Sequence, residues 1–154
     1  MKLLISSCLL GENVKYNGLN NKIDSDIFQS ILASHTVFTF CPEIEGGLST
    51  PRAPCEIQSF DPFLIKNSHG DDVTAEFLKG AKKALELCKN NSISIALLKA
   101  NSPSCGNEKV YDGTFKGKLI EQSGVTAQFL LKNGIQVFNE NQLKELNKAL
   151  HQLR

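Results

Sequence analysis

Four short apolar runs recur along the chain. They cover residues 2–8, 37–41, 92–98 and 135–138. Continuous apolar runs of this length are typical of strands that are buried on both faces of a parallel sheet. The pattern therefore predicts four buried strands.

Segments of helical periodicity lie between these runs. Apolar residues recur at three- and four-residue spacing over 23–32 and over 77–88, and a third helix is expected over 123–132. Strands that alternate with helices are joined by right-handed crossovers and form a parallel sheet with helices on both faces. We therefore predict a Rossmann-like α/β fold in which residues 1–154 form a single domain.

Capping residues and turn-forming residues add detail to the predicted α/β fold. Asn133-Gly134 is a favourable end for the third helix, and Asn139 and Gln142 are spaced as a capping pair for a further helix. The apolar face of that last helix comprises Leu143, Leu146, Leu150 and Leu153. Residues 56–72 interrupt the alternation and predict a small hairpin or ordered insertion.

Composition and charge narrow the functional classes. The 154 residues are 41% hydrophobic and 21% charged, which is a globular composition, and the formal net charge is only +1. No strong overall field therefore draws the protein to nucleic acid or to an anionic membrane. No run approaches the roughly 18 apolar residues of a spanning helix, so we expect a soluble, cytoplasmic protein. In a reducing compartment its five cysteines are expected to be thiols, metal ligands or catalytic groups rather than disulfides.

Three cysteines fall at the carboxyl ends of predicted strands, which is where ligands bind in an open parallel sheet. Cys8 and Cys41 end the first two strands, and Cys105 follows the third by a short loop. Neighbouring strands are about 4.8 Å apart, so these three thiols are expected to converge on one metal or cluster. Cys88 lies on a helical apolar stripe and is interpreted as a core residue, whereas Cys55 is either a fourth ligand or an incidental thiol.

Polar side chains in the neighbouring loops suit catalysis, although each also has a structural interpretation. Glu43 is a candidate general acid/base or a loop carboxylate. Arg52 either donates a planar pair of hydrogen bonds to a ligand or fixes its loop through an ion pair. Ser102 and Ser104, which flank Pro103, either orient a substrate or form a turn.

In combination, the loop motifs resemble a bacterial family over nearly the whole chain. They are Ser6-Ser7-Cys8-Leu9-Leu10-Gly11 with Tyr16-Asn17-Gly18, Cys41-Pro42-Glu43 with Gly46-Gly47 and Pro51-Arg52, Ser102-Pro103-Ser104-Cys105-Gly106, and Tyr111-Asp112-Gly113-Thr114-Phe115. The family is the former domain-of-unknown-function family that contains the thiouracil desulfurases. Two positions depart from its pattern: Asn17 stands where aspartate is frequent, and Cys55 stands where no cysteine is expected.

The resemblance implies a cofactor and a reaction. It implies a 4Fe-4S cluster held by three cysteines, with one iron left open, and the matching positions are Cys8, Cys41 and Cys105. Such an iron is a Lewis acid suited to a soft thiocarbonyl sulfur. The implied reaction is hydrolytic desulfuration of thiouracil or of a thiolated nucleoside or nucleotide, with release of sulfide.

The same resemblance suggests roles for the polar residues. Glu43 and Ser102 are the candidate catalytic residues. Candidate substrate-binding residues are Ser7, Arg52 and Ser104.

Two alternatives from other functional classes remain open at this point. The cysteines could hold zinc with an open water position, which would give an ordinary hydrolase. Alternatively, the protein could bind thiolated RNA or sense a cluster without turnover. The near-neutral charge disfavours a general RNA-binding module, so RNA would require a local basic groove built from Lys15, Lys22, Arg52 and Lys109.

Overall fold

The computed structural model describes residues 1–152 and contains a parallel four-stranded sheet. Within residues 1–152 the strands are β1 (Lys2–Ser6), β2 (Thr36–Phe40), β3 (Cys55–Phe60), β4 (Phe63–Asn67), β5 (Ile95–Leu97), β6 (Val110–Tyr111), β7 (Leu119–Ile120) and β8 (Gln136–Phe138). The main sheet has the order β2-β1-β5-β8, with Leu4 opposite Phe38 on one side and Ala96 on the other. All four predicted apolar runs contribute to it.

Five α-helices accompany the strands in this part of the chain. They are α1 (Asp26–Ser34), α2 (Pro42–Glu45), α3 (Thr74–Asn90), α4 (Val125–Lys132) and α5 (Leu143–Gln152). A 3-10 turn, Ser7–Leu10, directly follows β1. Over residues 1–152, none of the helices combines the length and apolar character that crossing a bilayer requires.

The helices cover both faces of the sheet, because successive side chains of β1 point in opposite directions. Leu3 and Ile5 belong to the core cluster that contains Phe28 of α1 and Leu146 of α5. Leu4 belongs to a second cluster, with Cys88 of α3 and with Ala127 and Leu130 of α4. Each fully buried large apolar side chain contributes roughly 1.5–3 kcal/mol. The predicted α/β architecture with two helical layers is confirmed.

Element boundaries are set by polar residues as well as by the apolar pattern. Ser25 caps α1, because its Oγ accepts the Phe28 N–H at 3.2 Å, so Ile23 packs on the core from outside the helix. Gly134 has a φ of +79° and ends α4 as predicted. Gln142 Oε1 accepts the Asn139 N–H at 3.0 Å, which confirms the capping interaction before α5. Leu153 lies outside the described residues.

The predicted insertion is an antiparallel hairpin. Strands β3 and β4 pair from Cys55–Asn67 to Phe60–Phe63, and an isolated bridge joins Lys66 to Asp72. A second small hairpin, β6–β7, was not predicted from the sequence. Both hairpins lie outside the main sheet.

Candidate active site

A cavity of about 510 Å³ opens at the carboxyl edge of the main sheet. Its wall includes residues that follow β1, β2 and β5, and four thiols line it: Cys8, Cys41, Cys55 and Cys105. The fifth cysteine, Cys88, is fully buried in α3 within the core. The expected convergence of Cys8, Cys41 and Cys105 at one sheet edge is therefore present, as is the core position of Cys88.

Each of the three strand-end cysteines is fixed by a different local structure. Cys8 lies in the 3-10 turn rather than at the end of β1, and the side-chain amide of Asn21 donates to its Sγ at 3.5 Å. Cys41 is the N-terminal cap residue of α2. Cys105 is 4% exposed, and the hydroxyls of Ser6 and Ser104 each lie 3.5 Å from its Sγ.

The three thiols have raised pKa values. Burial raises the pKa of Cys8 and that of Cys41, although the Ile44 backbone N–H acts in the opposite direction on Cys41. Burial raises the pKa of Cys105 to about 12, and the proximity of Cys41 and Cys8 adds to the effect. Without a metal these groups are neutral at pH 7, so a bound metal centre would supply the positive charge that holds them as thiolates.

The chemistry of these three thiols bears on whether they suit a cluster or a single ion. Two thiolates on one zinc lie within about 4.6 Å of each other, because each Zn–S bond is about 2.3 Å. Within residues 1–152, no three His, Cys, Asp or Glu side chains converge closely enough to hold one ion. A four-iron cluster carries its thiolates on separate irons and so accepts ligands spread around a cavity. Three thiols with N–H and O–H donors directed at their sulfurs have the ligand chemistry of such a cluster.

A hydrogen-bonded chain connects Glu43 to the cysteine loop. Glu43 Oε2 accepts the Ser104 hydroxyl at 3.0 Å, and Ser104 Oγ lies 3.0 Å from Ser102 Oγ. Ser102 Oγ already accepts the N–H groups of Ser104 and Cys105, at 3.2 and 3.1 Å. Ser102 therefore donates its hydroxyl proton to Ser104, which donates to Glu43. The chain has one direction and ends on the carboxylate.

Arg52 lines the cavity and makes the contacts expected of a loop-fixing residue. Its Nε donates to Glu43 Oε1 at 3.2 Å, and its side chain is only 8% exposed. The terminal nitrogens donate to Ser49 O and Thr50 Oγ1 at 3.1 Å and to Val14 O at 3.0 Å. Arg52 thus orients Glu43 and joins two loops beside the cavity. Its buried guanidinium does not belong to an exposed basic groove.

Close packing between α2 and α3 positions Cys41 and Glu43. A Cβ added at Gly80 of α3 would lie 2.7 Å from the carbonyl carbon of Pro42 and 3.1 Å from its Cα. These distances are well inside the 3.5–4.0 Å of an ordinary carbon–carbon contact. Glycine at position 80 therefore permits the backbone of α2 to rest directly on α3.

The cavity wall also contains one further predicted residue and two that the sequence did not indicate as site residues. Ser7, a predicted substrate-binding residue, lines the cavity and is 6% exposed. Lys99 was not predicted, although its position directly after the third apolar run was a usable signal. Its Nζ lies 2.7 Å from Glu140 Oε2. Glu56 of β3 also lines the cavity.

The fold and the site together define an α/β protein whose thiol-lined cavity lies at the carboxyl edge of a parallel sheet, beside a carboxylate–serine chain. The 2-thiouracil desulfurase family model matches residues 3–142. The chain belongs to this family, whose members are carbon–sulfur bond-cleaving enzymes. The family resemblance seen in the loop motifs is thereby confirmed.

Two related proteins show how far the similarity extends. An uncharacterized protein of Bacillus subtilis strain 168, YbbK, is 39% identical over 151 residues, which cover 94% of this chain and 99% of that protein. A solved structure of a 4Fe-4S-dependent thiouracil desulfidase, TudS, is 45% identical, with a TM-score of 0.92 and 97% of each chain covered. The latter similarity confirms the fold class independently of the strand pattern.

Proposed function

We propose that this protein removes sulfur from a thiolated pyrimidine with the help of a 4Fe-4S cluster. The observation that carries the proposal is the common cavity, in which three strand-end thiols lie beside the Glu43–Ser104–Ser102 chain. The 45% identical neighbour is a 4Fe-4S-dependent thiouracil desulfidase. A cavity of about 510 Å³ is in the usual size range for a small-molecule site.

Cys8, Cys41 and Cys105 are the proposed cluster ligands. Asn21, Ser6 and the Ile44 N–H offer hydrogen bonds to their sulfurs, and such donors orient and stabilise metal-bound thiolates. When bound, the cluster supplies an iron without a fourth protein ligand, which is a Lewis acid suited to thiocarbonyl sulfur.

Glu43 is the proposed general base. Its carboxylate accepts a proton from the water that attacks the thiocarbonyl carbon, while Arg52 holds the other oxygen in place. The Ser104 and Ser102 hydroxyls are hydrogen-bonded in series to the same carboxylate, so the proton that Glu43 takes from water can pass along them, by reversal of these hydrogen bonds, towards the departing sulfur. The balance is thiocarbonyl plus water giving carbonyl plus hydrogen sulfide, so both water protons leave with the sulfur and no net oxidation or reduction occurs.

Ser7 and Ser104 are proposed to bind the pyrimidine, and Arg52 acts on it through Glu43. All five cysteines, which lie within the described residues, are free thiols. This state suits the reducing cytoplasm, where we place the reaction.

Replacement of Glu43 by glutamine tests the mechanism. The amide nearly matches the carboxylate in shape, so fold and cluster should be retained, whereas turnover should fall by about 10²–10⁴-fold, the usual contribution of a positioned acid/base. Sulfide release per intact cluster is measured after anaerobic reconstitution, with the free base, nucleoside and nucleotide as separate substrates. Normal release per cluster would remove Glu43 from the mechanism.

The same preparations test the cofactor. We expect brown protein with iron and acid-labile sulfide in equal amounts. A colourless protein that contains one zinc per chain and is equally active would favour the zinc hydrolase instead.

A further inference from the structure

Glu56 is a buried carboxylate to which the proposed chemistry assigns no role. It lies in β3, is 8% exposed and lines the cavity. A buried carboxylate is costly unless it is hydrogen-bonded. Its Oε1 accepts two backbone N–H groups, from Gly113 at 2.9 Å and from Phe115 at 3.1 Å. Glu56 therefore binds the loop between β6 and β7.

That loop, residues 112–118, combines a hydrogen bond of its own, from the Thr114 N–H to Asp112 Oδ1 at 3.0 Å, with an unusual backbone and with contacts to β3. Gly113, Phe115 and Gly117 all have positive φ, and Phe115, at +59°, is a bulky residue in a region such residues seldom occupy. Gln58, also in β3, donates its side-chain amide to Gly113 O at 2.9 Å. The tip of the loop is thus held on the β3–β4 hairpin by side chains of one strand.

The same loop forms part of the cavity wall. Tyr111, at its base, and Gly117, near its other end, both line the cavity. Because Glu56 binds the N–H groups between these two positions, its contacts fix the shape of this wall.

We propose that Glu56 is a positioning residue, which holds loop 112–118 in place as a wall of the substrate cavity and thereby sets affinity for the thiolated pyrimidine. The substrate part rests on the proposed function. The role of Glu56 in holding the loop does not rest on the proposed function, because it depends only on contacts within the protein.

Two variants separate positioning from charge. Glu56→Ala removes both hydrogen bonds. Glu56→Gln keeps a carbonyl oxygen that can accept both N–H groups, so the amide should restore the loop although it lacks the charge. The matched control is Glu86→Ala, because Glu86 is an exposed carboxylate on α3.

Limited proteolysis measures the loop directly. Lys116 and Lys118 are exposed in the loop, so trypsin can cut there once the loop opens. In Glu56→Ala we expect cleavage after these lysines to be about tenfold faster or more, because proteolysis follows the population of the open form. Glu56→Gln and Glu86→Ala should remain within about threefold of the original protein.

Kinetics on the anaerobically reconstituted enzyme measure the consequence for substrate. In Glu56→Ala we expect KM for the thiolated base to rise about tenfold or more while kcat per cluster stays within about threefold, the pattern of lost substrate binding. Glu56→Gln should recover most of the affinity. If Glu56→Ala does not fold, Glu56→Asp replaces it, because a carboxylate one methylene shorter cannot reach both N–H groups.

Unchanged cleavage and unchanged KM in Glu56→Ala would overturn the proposal, as would a Glu56→Gln protein as impaired as Glu56→Ala. If the original protein releases no sulfide from any thiolated pyrimidine, the proposed function fails. The cleavage ratio then still decides whether Glu56 holds the loop.

Discussion

Gly80 is the residue at which stability and catalysis are most directly connected, because α3 supports α2 there through backbone contact. We consider its replacement by alanine. The added Cβ would meet the carbonyl group of Pro42, which directly follows Cys41 and precedes Glu43. A backbone carbonyl cannot rotate away as a flexible side chain can. The helix α2 must therefore move as a unit.

The size of the effect follows from two opposing contributions. Alanine is favoured over glycine inside a helix by about 1 kcal/mol. Overpacking of a close contact costs about 1–3 kcal/mol, and the upper part of that range applies where backbone is displaced. We expect a net loss of about 1–2 kcal/mol in the free energy of unfolding, or about 2–8 °C in Tm for a chain of this length.

The functional effect should exceed the loss of stability. Relief of a 2.7 Å carbon–carbon approach requires α2 to shift by about 1 Å towards an ordinary contact distance. A misplacement of that size can cost about 100-fold in rate, because Cys41 and Glu43 move together. We therefore expect low iron content per chain and a large loss of sulfide release at temperatures where the protein is still folded.

The assay compares urea unfolding, iron content and sulfide release per cluster in Gly80→Ala with those in Lys83→Ala. Lys83 is exposed on the same helix, and its replacement should change stability by less than about 0.5 kcal/mol. A Gly80→Ala protein that is more stable than the original and fully active would show that the helix crossing does not constrain the site.

Two further predictions concern the cysteines. Replacing Cys8, Cys41 or Cys105 with serine should reduce iron to background while Cys55→Ser retains it, as measured by iron per chain; full iron in Cys41→Ser would contradict the ligand set. Burial raises the pKa of Cys88 from 9.0 to about 11, so the folded state keeps a proton that the unfolded chain loses. This proton retention stabilises the folded state fully below pH 9. Between pH 9 and pH 11 the stabilisation falls by about 1.4 kcal/mol per pH unit. In Cys88→Ala, the free energy of unfolding measured in urea should therefore fall less steeply as the pH rises.

The main sheet could be predicted because strands buried on both faces leave an uninterrupted apolar pattern. The first and last residues of those strands could not be predicted. The run at residues 2–8 continues past Ser6 although the chain turns there into a 3-10 helix, because Ser7 and Cys8 are buried in that turn as the strand residues are in the sheet. The run at 92–98 begins three residues before β5, since Ser92 has a φ of +55° and turns the chain after α3.

The short elements left no periodic pattern. Helix α2 has four residues, and the strands of the β6–β7 hairpin have two each. Both are too short for a repeat of 3.6 or 2.0 residues to be visible in the sequence.

The candidate site was predictable where position along a strand determined it. Cys8, Cys41 and Cys105 follow strands of one parallel sheet, so topology alone brings them to one edge. Glu56 could not be assigned from sequence, because its partner Gly113 is 57 positions away in an unpredicted hairpin. Likewise, the sequence allowed two roles for Arg52, and its contact with Glu43 could not be predicted because the two side chains meet only through the fold of their loop.

The placement of the three strand-end thiols has a consequence for the order of maturation. Iron–sulfur ligands in ferredoxin-type motifs lie within a few residues of one another, so a short peptide can gather a cluster. Here the proposed ligands come from positions 8, 41 and 105, and they meet only after β5 has paired with β1. No early segment of the nascent chain can assemble the site. With the proposed ligand set, we expect cluster insertion to follow formation of the central sheet, so that iron and sulfur would be delivered to an already folded apoprotein.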